Sequence, residues 1–248
     1  MLGGLTVLIL TSPGWPVFRD AFFDPEVFAD SFPDVLKAFW LDVRIFLVVE
    51  VVVLVLGLAV ALVRTVKLPA LFPLRVLAIV YTDVFRGIPT ILLVYLIGFG
   101  VPALELEFLG LKTNEIDPVV LGGIALSLSY SAYVAEVYRA GIRSVHRSQR
   151  DAALAVGLTE AQALRHVVLP QAMRLLPPPL LNDFVSLQKD VALVSVIGPL
   201  EAFRIAQIFQ GQEFNYTPLI AAALLYLAVT IPTARLVERI GGQPGDAR

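Results

Sequence analysis

From Ile45 to Val63 the chain reads IFLVVEVVVLVLGLAVALV, 19 residues that carry one charge, Glu50. No other feature restricts the fold as strongly. A run of this length is what a helix needs to cross ~30 Å of hydrocarbon. Backbone polar groups in lipid must bond within their own segment, so the run reads as a helix. Strands rarely exceed ~10 residues, which removes the β alternative for this valine-rich stretch. Composition agrees: 16% of the 248 residues are charged and mean hydropathy is +0.79, whereas a soluble domain carries about a quarter charged residues.

Four further spans follow, giving five in all, at about 43–63, 74–99, 118–140, 175–198 and 217–237. Basic residues in the connections set their direction. Segment 64–75 has Arg64, Lys67 and Arg75, and segment 139–174 has six arginines against Asp151 and Glu160. Segment 100–117 has Lys112 against four acids, and 199–216 has Arg204 against two. The alternation puts the N-terminus outside and the C-terminus, with Arg235 and Arg239, in the cytoplasm. The expected layout is an aromatic, acidic lead-in over 1–42 resting on the outer leaflet, a membrane domain over 43–240, and a cytoplasmic tail over 241–248. Met1 to Leu10 lacks a basic leader region and a cleavage site, so it belongs to the lead-in rather than to a targeting segment.

The longest inner connection, 141–174, interrupts this pattern with DAALAVGLTEAQALRHVVLP, Asp151 to Pro170. Ser148 with Asp151 three residues on has the spacing of a capping box. Gly157 suits the left-handed end of a helix. Thr159 with Gln162 repeats the capping spacing, and Pro170 is expected to end the second helix. Two short helices with a bend at Gly157 follow, the first exposing Ala152, Ala153 and Val156. Such a pair could lie on the membrane, pack under the bundle or dock a soluble partner.

This stretch resembles the EAA loop of bacterial ABC-importer permeases, which runs Glu-Ala-Ala, three residues, Gly, nine residues, Ile, one residue, Leu-Pro. Asp151, Ala152, Ala153, Gly157, Leu169 and Pro170 fall at those spacings, with Asp151 in place of Glu and Val167 in place of Ile. RGIPTILLVY (86–95), SAYVAEVYRAGIRSV (131–145) and LLNDFVSLQKDVALVSVIG (180–198) resemble the polar amino acid branch, that of histidine, glutamine and arginine permeases. They occur in the family's order over roughly 40–240. The resemblance implies an all-α, polytopic, MetI-like type I importer fold in the bacterial inner membrane. It also implies a second permease subunit, identical or different, two cytosolic ATPases gripping the loop, and an extracytoplasmic amino-acid-binding protein. Transport by alternating access would follow, with ATP and Mg²⁺ held by the partner ATPase and no cofactor here.

Charged residues at bilayer depth cost at least ~2.5 kcal/mol each and ask for a partner or a role. Glu50 is expected to be bonded to a neighbour or kept neutral. Asp83 and Arg86 lie three apart on one helix face and form either an internal pair or a grip on a substrate carboxylate. Asn182, Asp183, Ser186, Lys189 and Asp190 make a polar stripe on the fourth span, where the translocation path is expected. Tyr130, with Ser127 and Tyr133, is a weaker candidate, and Glu136 is expected to anchor the inner mouth. His146 and His166 lack metal-ligand spacing, and no cysteine is present. There is no phosphate loop of the form G-x-x-x-x-G-K-[ST], so no ATPase resides in this chain. An enzyme would need a catalytic cluster that the sequence does not offer. The competing class is a secondary transporter or channel coupling ions through these charges. Which amino acid is carried is not written in the sequence.

Overall fold

The structure is a computed structural model of the full chain and describes residues 8, 10–66, 68–108 and 110–241. Lys67, the first seven residues of the lead-in and the tail from 242 lie outside the described residues. A short helix α1 (Trp15–Phe22) precedes α2 (Pro25–Thr65), which runs 41 residues. At 1.5 Å per residue that is about 60 Å, twice the hydrocarbon thickness. The expected boundary between lead-in and first span at residue 42 therefore falls inside one helix. Asp24 starts it by accepting from the amides of Glu26 and Val27 at 2.9 and 3.3 Å.

The second expected span, 74–99, is broken. α3 (Phe72–Gly87) and α4 (Thr90–Ala103) meet at 106°. The cause is local: Pro89 has no amide to donate, and it drives Ile88 into extended geometry, φ −97° and ψ 129°. Beyond α4, Glu107–Phe108 (β1) and Leu111–Lys112 (β2) form a two-residue antiparallel ladder, a small departure from an all-α chain. α5 (Pro118–Ser144) follows, then the loop helices described below. α9 (Pro177–Asp190) tightens into a 3-10 turn, Val191–Ile197, and meets α10 (Ala202–Glu213) at 54°. Segment 199–216, expected as an outer loop, is thus mostly helix. Its start is fixed by Glu201, whose carboxylate accepts from the amides of Phe203 and Arg204 at 2.8 and 2.7 Å. α11 (Thr217–Gly241) completes the bundle. Among the described residues three helices are long and apolar enough to cross a membrane, or five if each bent pair counts as one span.

α5 is the centre of the bundle, packed against α2, α3, α4 and α9. The face of α2 turned to it is Ile45, Val49, Val53, Gly57 and Ala61, buried at four-residue spacing, while Val48, Val51 and Val55 point outward. Small residues let the axes approach, which matters in lipid, where no hydrophobic gain drives helices together. A Cβ at Gly57 would stand 2.7 Å from Cγ1 of Val134. A second core joins Val35 and Phe39 of α2 to Ala202, Ala206 and Ala222, so the end of the lead-in is part of the bundle. The Tyr216 amide donates to the Ala21 carbonyl at 2.7 Å, and the Asp24 amide to Thr217 Oγ1 at 3.0 Å, tying α1 and α2 to the start of α11. At this end Tyr226 donates to Asp42 and Glu201, which are 3% and 0% exposed.

Gly57→Leu is expected to cost about 1–3 kcal/mol through overpacking, read as a lowered melting temperature of the purified protein. Gly123→Ala, whose added methyl would meet Val49 at an ordinary 3.6 Å, should change stability by less than about 1 kcal/mol. Equal losses at both positions would contradict the close α2–α5 approach.

Candidate functional site

The polar loop between α5 and α9 is built from short helices with clear stops. α6 (Arg147–Ala155) begins at His146, whose ring Nδ1 accepts from the Ser148 amide at 3.3 Å. The cap is thus His146 rather than Ser148, and Asp151 is free to pair with Arg147 at 3.5 Å. α6 ends in a Schellman turn: the Leu158 amide reaches the Ala153 carbonyl at 3.2 Å and the Gly157 amide the Leu154 carbonyl at 3.0 Å. Gly157 has φ +91°, a conformation that a side chain would strain. Thr159 and Gln162 then form a reciprocal capping box at the start of α7 (Glu160–Ala163). Arg150 bridges the bend to Glu160 at 2.6 Å.

Pro170 does not end the second helix. Leu164–Val168 widens into a π turn and the chain continues as α8 (Leu169–Leu175) with Pro170 in its first turn. There the missing amide costs least, and the wider turn makes room for the ring. Val168 and Ala172 pack on Ile142 at the end of α5, with Leu169 half-buried beside them. Leu169 therefore fastens the loop to the bundle. Of the three small residues expected to face outward, Ala153 is buried at 5% exposure, because it lies on the side of α6 turned to the π segment. Ala152 and Val156, four apart, form the outward face.

Behind the loop, Glu136 accepts from both Arg64 and Arg139, and Arg64 also donates to buried Thr82 Oγ1 at 2.5 Å. One carboxylate thus joins α2 and α5, with α3 held through Arg64. Glu136 is the anchor the sequence suggested. Its partner Arg64 looked like one more loop charge, since nothing local signals a contact 72 residues away.

The intramembrane candidates divide into two groups. Asp183 and Asp190 sit on the half-buried side of α9. Tyr130 donates to Asp190 Oδ2 at 2.8 Å, and Asp183 Oδ2 is buried with no hydrogen-bond partner among the described residues. Of the two expectations for Glu50, a bonded neighbour or a neutral carboxyl, the first is not met among the described residues, where it forms no ion pair. Asn182 and Lys189 lie on the exposed side, and Ser186 donates to the Asn182 carbonyl of its own helix at 3.0 Å. Residues seven apart share a face, so 182/189 and 183/190 form neighbouring stripes, not one. Gln188, overlooked in the sequence, is buried and donates to Thr230 at 3.3 Å.

Asp83 and Arg86 are both exposed and form no ion pair among the described residues. Arg86 instead stands over the Tyr133 ring, 5.6 Å from its centre, and its carbonyl accepts from the Tyr133 hydroxyl at 3.2 Å. Tyr133 and Tyr130 are adjacent, ring centres 6.3 Å apart. Arg86, Tyr133, Tyr130 and Asp190 therefore form a continuous row across α5, with a cation at one end and an acid at the other. Tyr130 lies about 20 Å along α5 from Ser144, near the middle of that helix.

The bundle thus carries a polar row across its central helix and a bent, capped loop at its basic end. The chain belongs to the family of binding-protein-dependent transport system inner membrane components, which it matches over residues 53–241. It is 34% identical over 200 residues to the arginine transport system permease protein ArtQ of Bacillus subtilis (strain 168), covering 80% of this chain and 87% of that one. It is 35% identical over 179 residues to the probable glutamine ABC transporter permease protein GlnM of the same organism, covering 72% and 78%. Among solved structures, an amino acid ABC transporter with histidines matches with TM-score 0.74 at 30% identity, covering 84% of this chain and 93% of that one. The inward-facing MetNI methionine ABC transporter, TM-score 0.62 at 19% identity over 83% and 95%, shares the fold.

Removing the shared acid should leave two part-buried arginines without their partner, so Glu136→Gln is expected to cost about 1.5–3 kcal/mol, the range for hydrogen bonds to charged groups. Glu160→Gln, at an exposed pair, should cost less than about 1 kcal/mol. Denaturant unfolding of the two purified variants checks the contrast; similar costs would contradict the role of Glu136.

Proposed function

We propose that this chain is the membrane subunit of an importer that moves a polar or charged amino acid by alternating access, driven by a separate cytosolic ATPase. One observation carries the reading. Residues 147–163 form a capped, bent helix pair that is fastened by Leu169, Val168 and Ala172 to the end of α5 and presents Ala152 and Val156 outward. A membrane-resting loop would have no use for so stiff a mount, whereas a lever needs one. The loop is the seat of the ATPase, and a push on α6 passes directly into α5, the helix on which the bundle is packed. In this reading the basic end faces the cytoplasm and the N-terminus lies outside. Two such chains, or this chain and a related one, flank the path, and an extracytoplasmic binding protein delivers the substrate.

The row from Arg86 to Asp190 supports an amino acid as cargo. A zwitterion has a carboxylate for Arg86 and an ammonium for Asp190 or the unpartnered Asp183, with two tyrosine rings between them. Asn182, Ser186 and Lys189 on the exposed stripe would face the second subunit across the path, and Asp83 the same space from α3. Relatives named for arginine and glutamine transport are consistent with polar cargo.

Two outcomes test the assignment. Gly157→Asp should abolish co-purification of the cognate ATPase with the tagged permease, because the Schellman turn fails and an acid enters the docking face; full retention would contradict docking here. Arg86→Gln should leave the ATPase bound but lower uptake in reconstituted vesicles by about 10–100-fold, the worth of one charge-assisted hydrogen bond. Unchanged uptake would remove Arg86 from the path.

A further inference from the structure

Beneath the loop, between the ends of α2 and α5, helices α6 and α7 and the π turn Leu164–Val168, lies a cavity of about 400 Å³. Five arginines line it, Arg64, Arg139, Arg143, Arg147 and Arg150, against one acid, Glu160. The local ion pairs do not cancel this charge. Glu136 serves Arg64 and Arg139 together, Asp151 serves Arg147, and Glu160 serves Arg150. Three acids facing five bases leave two positive charges uncompensated. Arg143 has no ion-pair partner among the described residues, and Arg64 and Arg139 must share one carboxylate.

Apart from Thr65, the rest of the lining is apolar: Leu68, Ile142 and Val168 belong to it. A cavity that is basic on one side and greasy on the other, at the level where spans become loop, matches a group that is itself amphiphilic. Basic pockets between helix ends at a membrane face take phospholipid headgroups. Arginine's planar fork suits a phosphate with several oxygens better than a single carboxylate.

We propose that this cavity binds a phosphate group, supplied by an acidic phospholipid whose acyl chains leave along the Leu68 side. Arg143 is the principal ligand. The phosphate lies beside Arg143 on α5 and Arg147 and Arg150 on α6, so it joins the two helices across Val145 and His146. The loop is then held to the spans by protein contacts on one side and by a lipid on the other. Arg143 then has its counter-ion, and the stiffness of the loop depends on which lipids surround it.

Binding is read without transport, so failure here and failure of the importer reading are distinguishable. The full chain in detergent is titrated with a short-chain phosphatidylglycerol, with phosphatidylcholine and with inorganic phosphate, and bound species are counted by native mass spectrometry. Phosphatidylglycerol should be retained in preference to phosphatidylcholine. Arg143→Gln should weaken it about fivefold, the contribution of one arginine near a membrane surface, and Arg143→Lys should restore most of the loss. Arg235→Gln, an exposed base on α11 outside the cavity, should change nothing. Inorganic phosphate bound with the same Arg143 dependence, without phosphatidylglycerol, would keep the phosphate site and assign it a soluble source. Equal retention of the two lipids, or equal losses in Arg143→Gln and Arg235→Gln, would overturn the proposal. Loss of the lipid when the cognate ATPase is added would also overturn it, since an acid of that partner would then be the occupant.

Discussion

The close approach of α2 and α5, clamped at its basic end by two arginines on Glu136, is the constraint on which the rest of the structure depends. Hydrocarbon gives helices no reason to associate, so the contact has to come from shape and from polar groups with nowhere else to go. Gly57 supplies the shape by letting Val134 come within reach. Glu136 supplies the polar part, drawing the end of α2 and, through Arg64, Thr82 of α3 onto α5. With those two helices fixed, α4 and α9 find their places on the remaining sides of α5. The loop starts where α5 ends, so whatever moves the loop moves the centre of the bundle.

Much of this was legible in the sequence, for reasons that differ from element to element. The apolar run at Ile45–Val63 reads directly as a helix because lipid permits little else. The loop's caps were readable because Gly157 and the Thr159–Gln162 box act within a single turn. The 106° corner at Pro89 was not legible in the sequence, and the hydroxyl contacts that accompany it join residues far apart in the chain, Thr90 to Ser129 at 3.0 Å and Tyr81 to Ser131 at 2.5 Å. Hydropathy sums composition and is blind to direction, so a bent pair and a straight span look alike. The same blindness hid α10 within an apparent loop. Glu201 counted there as one more exterior acid, although it is fully buried and caps a helix.

The site was partly legible. Residue types marked Arg86, Tyr130 and Asp190, but only the fold joins them, since Tyr133 stacks under one and Tyr130 bonds the other. Asn182 and Lys189 were placed with Asp183 and Asp190 on one stripe. The structure separates them, because a helix advances 100° per residue and one step turns a side chain to a different neighbour. Pro170 misled because its usual effect, stopping a helix, is absorbed by a π turn four residues earlier. Lever, clamp and polar row therefore meet on α5, and the proposed transport cycle depends on that helix behaving as one body from Tyr130 to Ser144.

The chain has no cysteines, so one introduced at Ala152 gives an unambiguous reporter of what the loop touches. Cross-linking Ala152→Cys to cysteines placed around the cognate ATPase, in vesicles and across the ATP cycle, tests the coupling most directly. The account predicts a cross-link to the ATPase whose efficiency changes with ATP, in vesicles that take up amino acid only when ATP is supplied. Uptake driven by an ion gradient alone, with no cross-link in any nucleotide state, would contradict it.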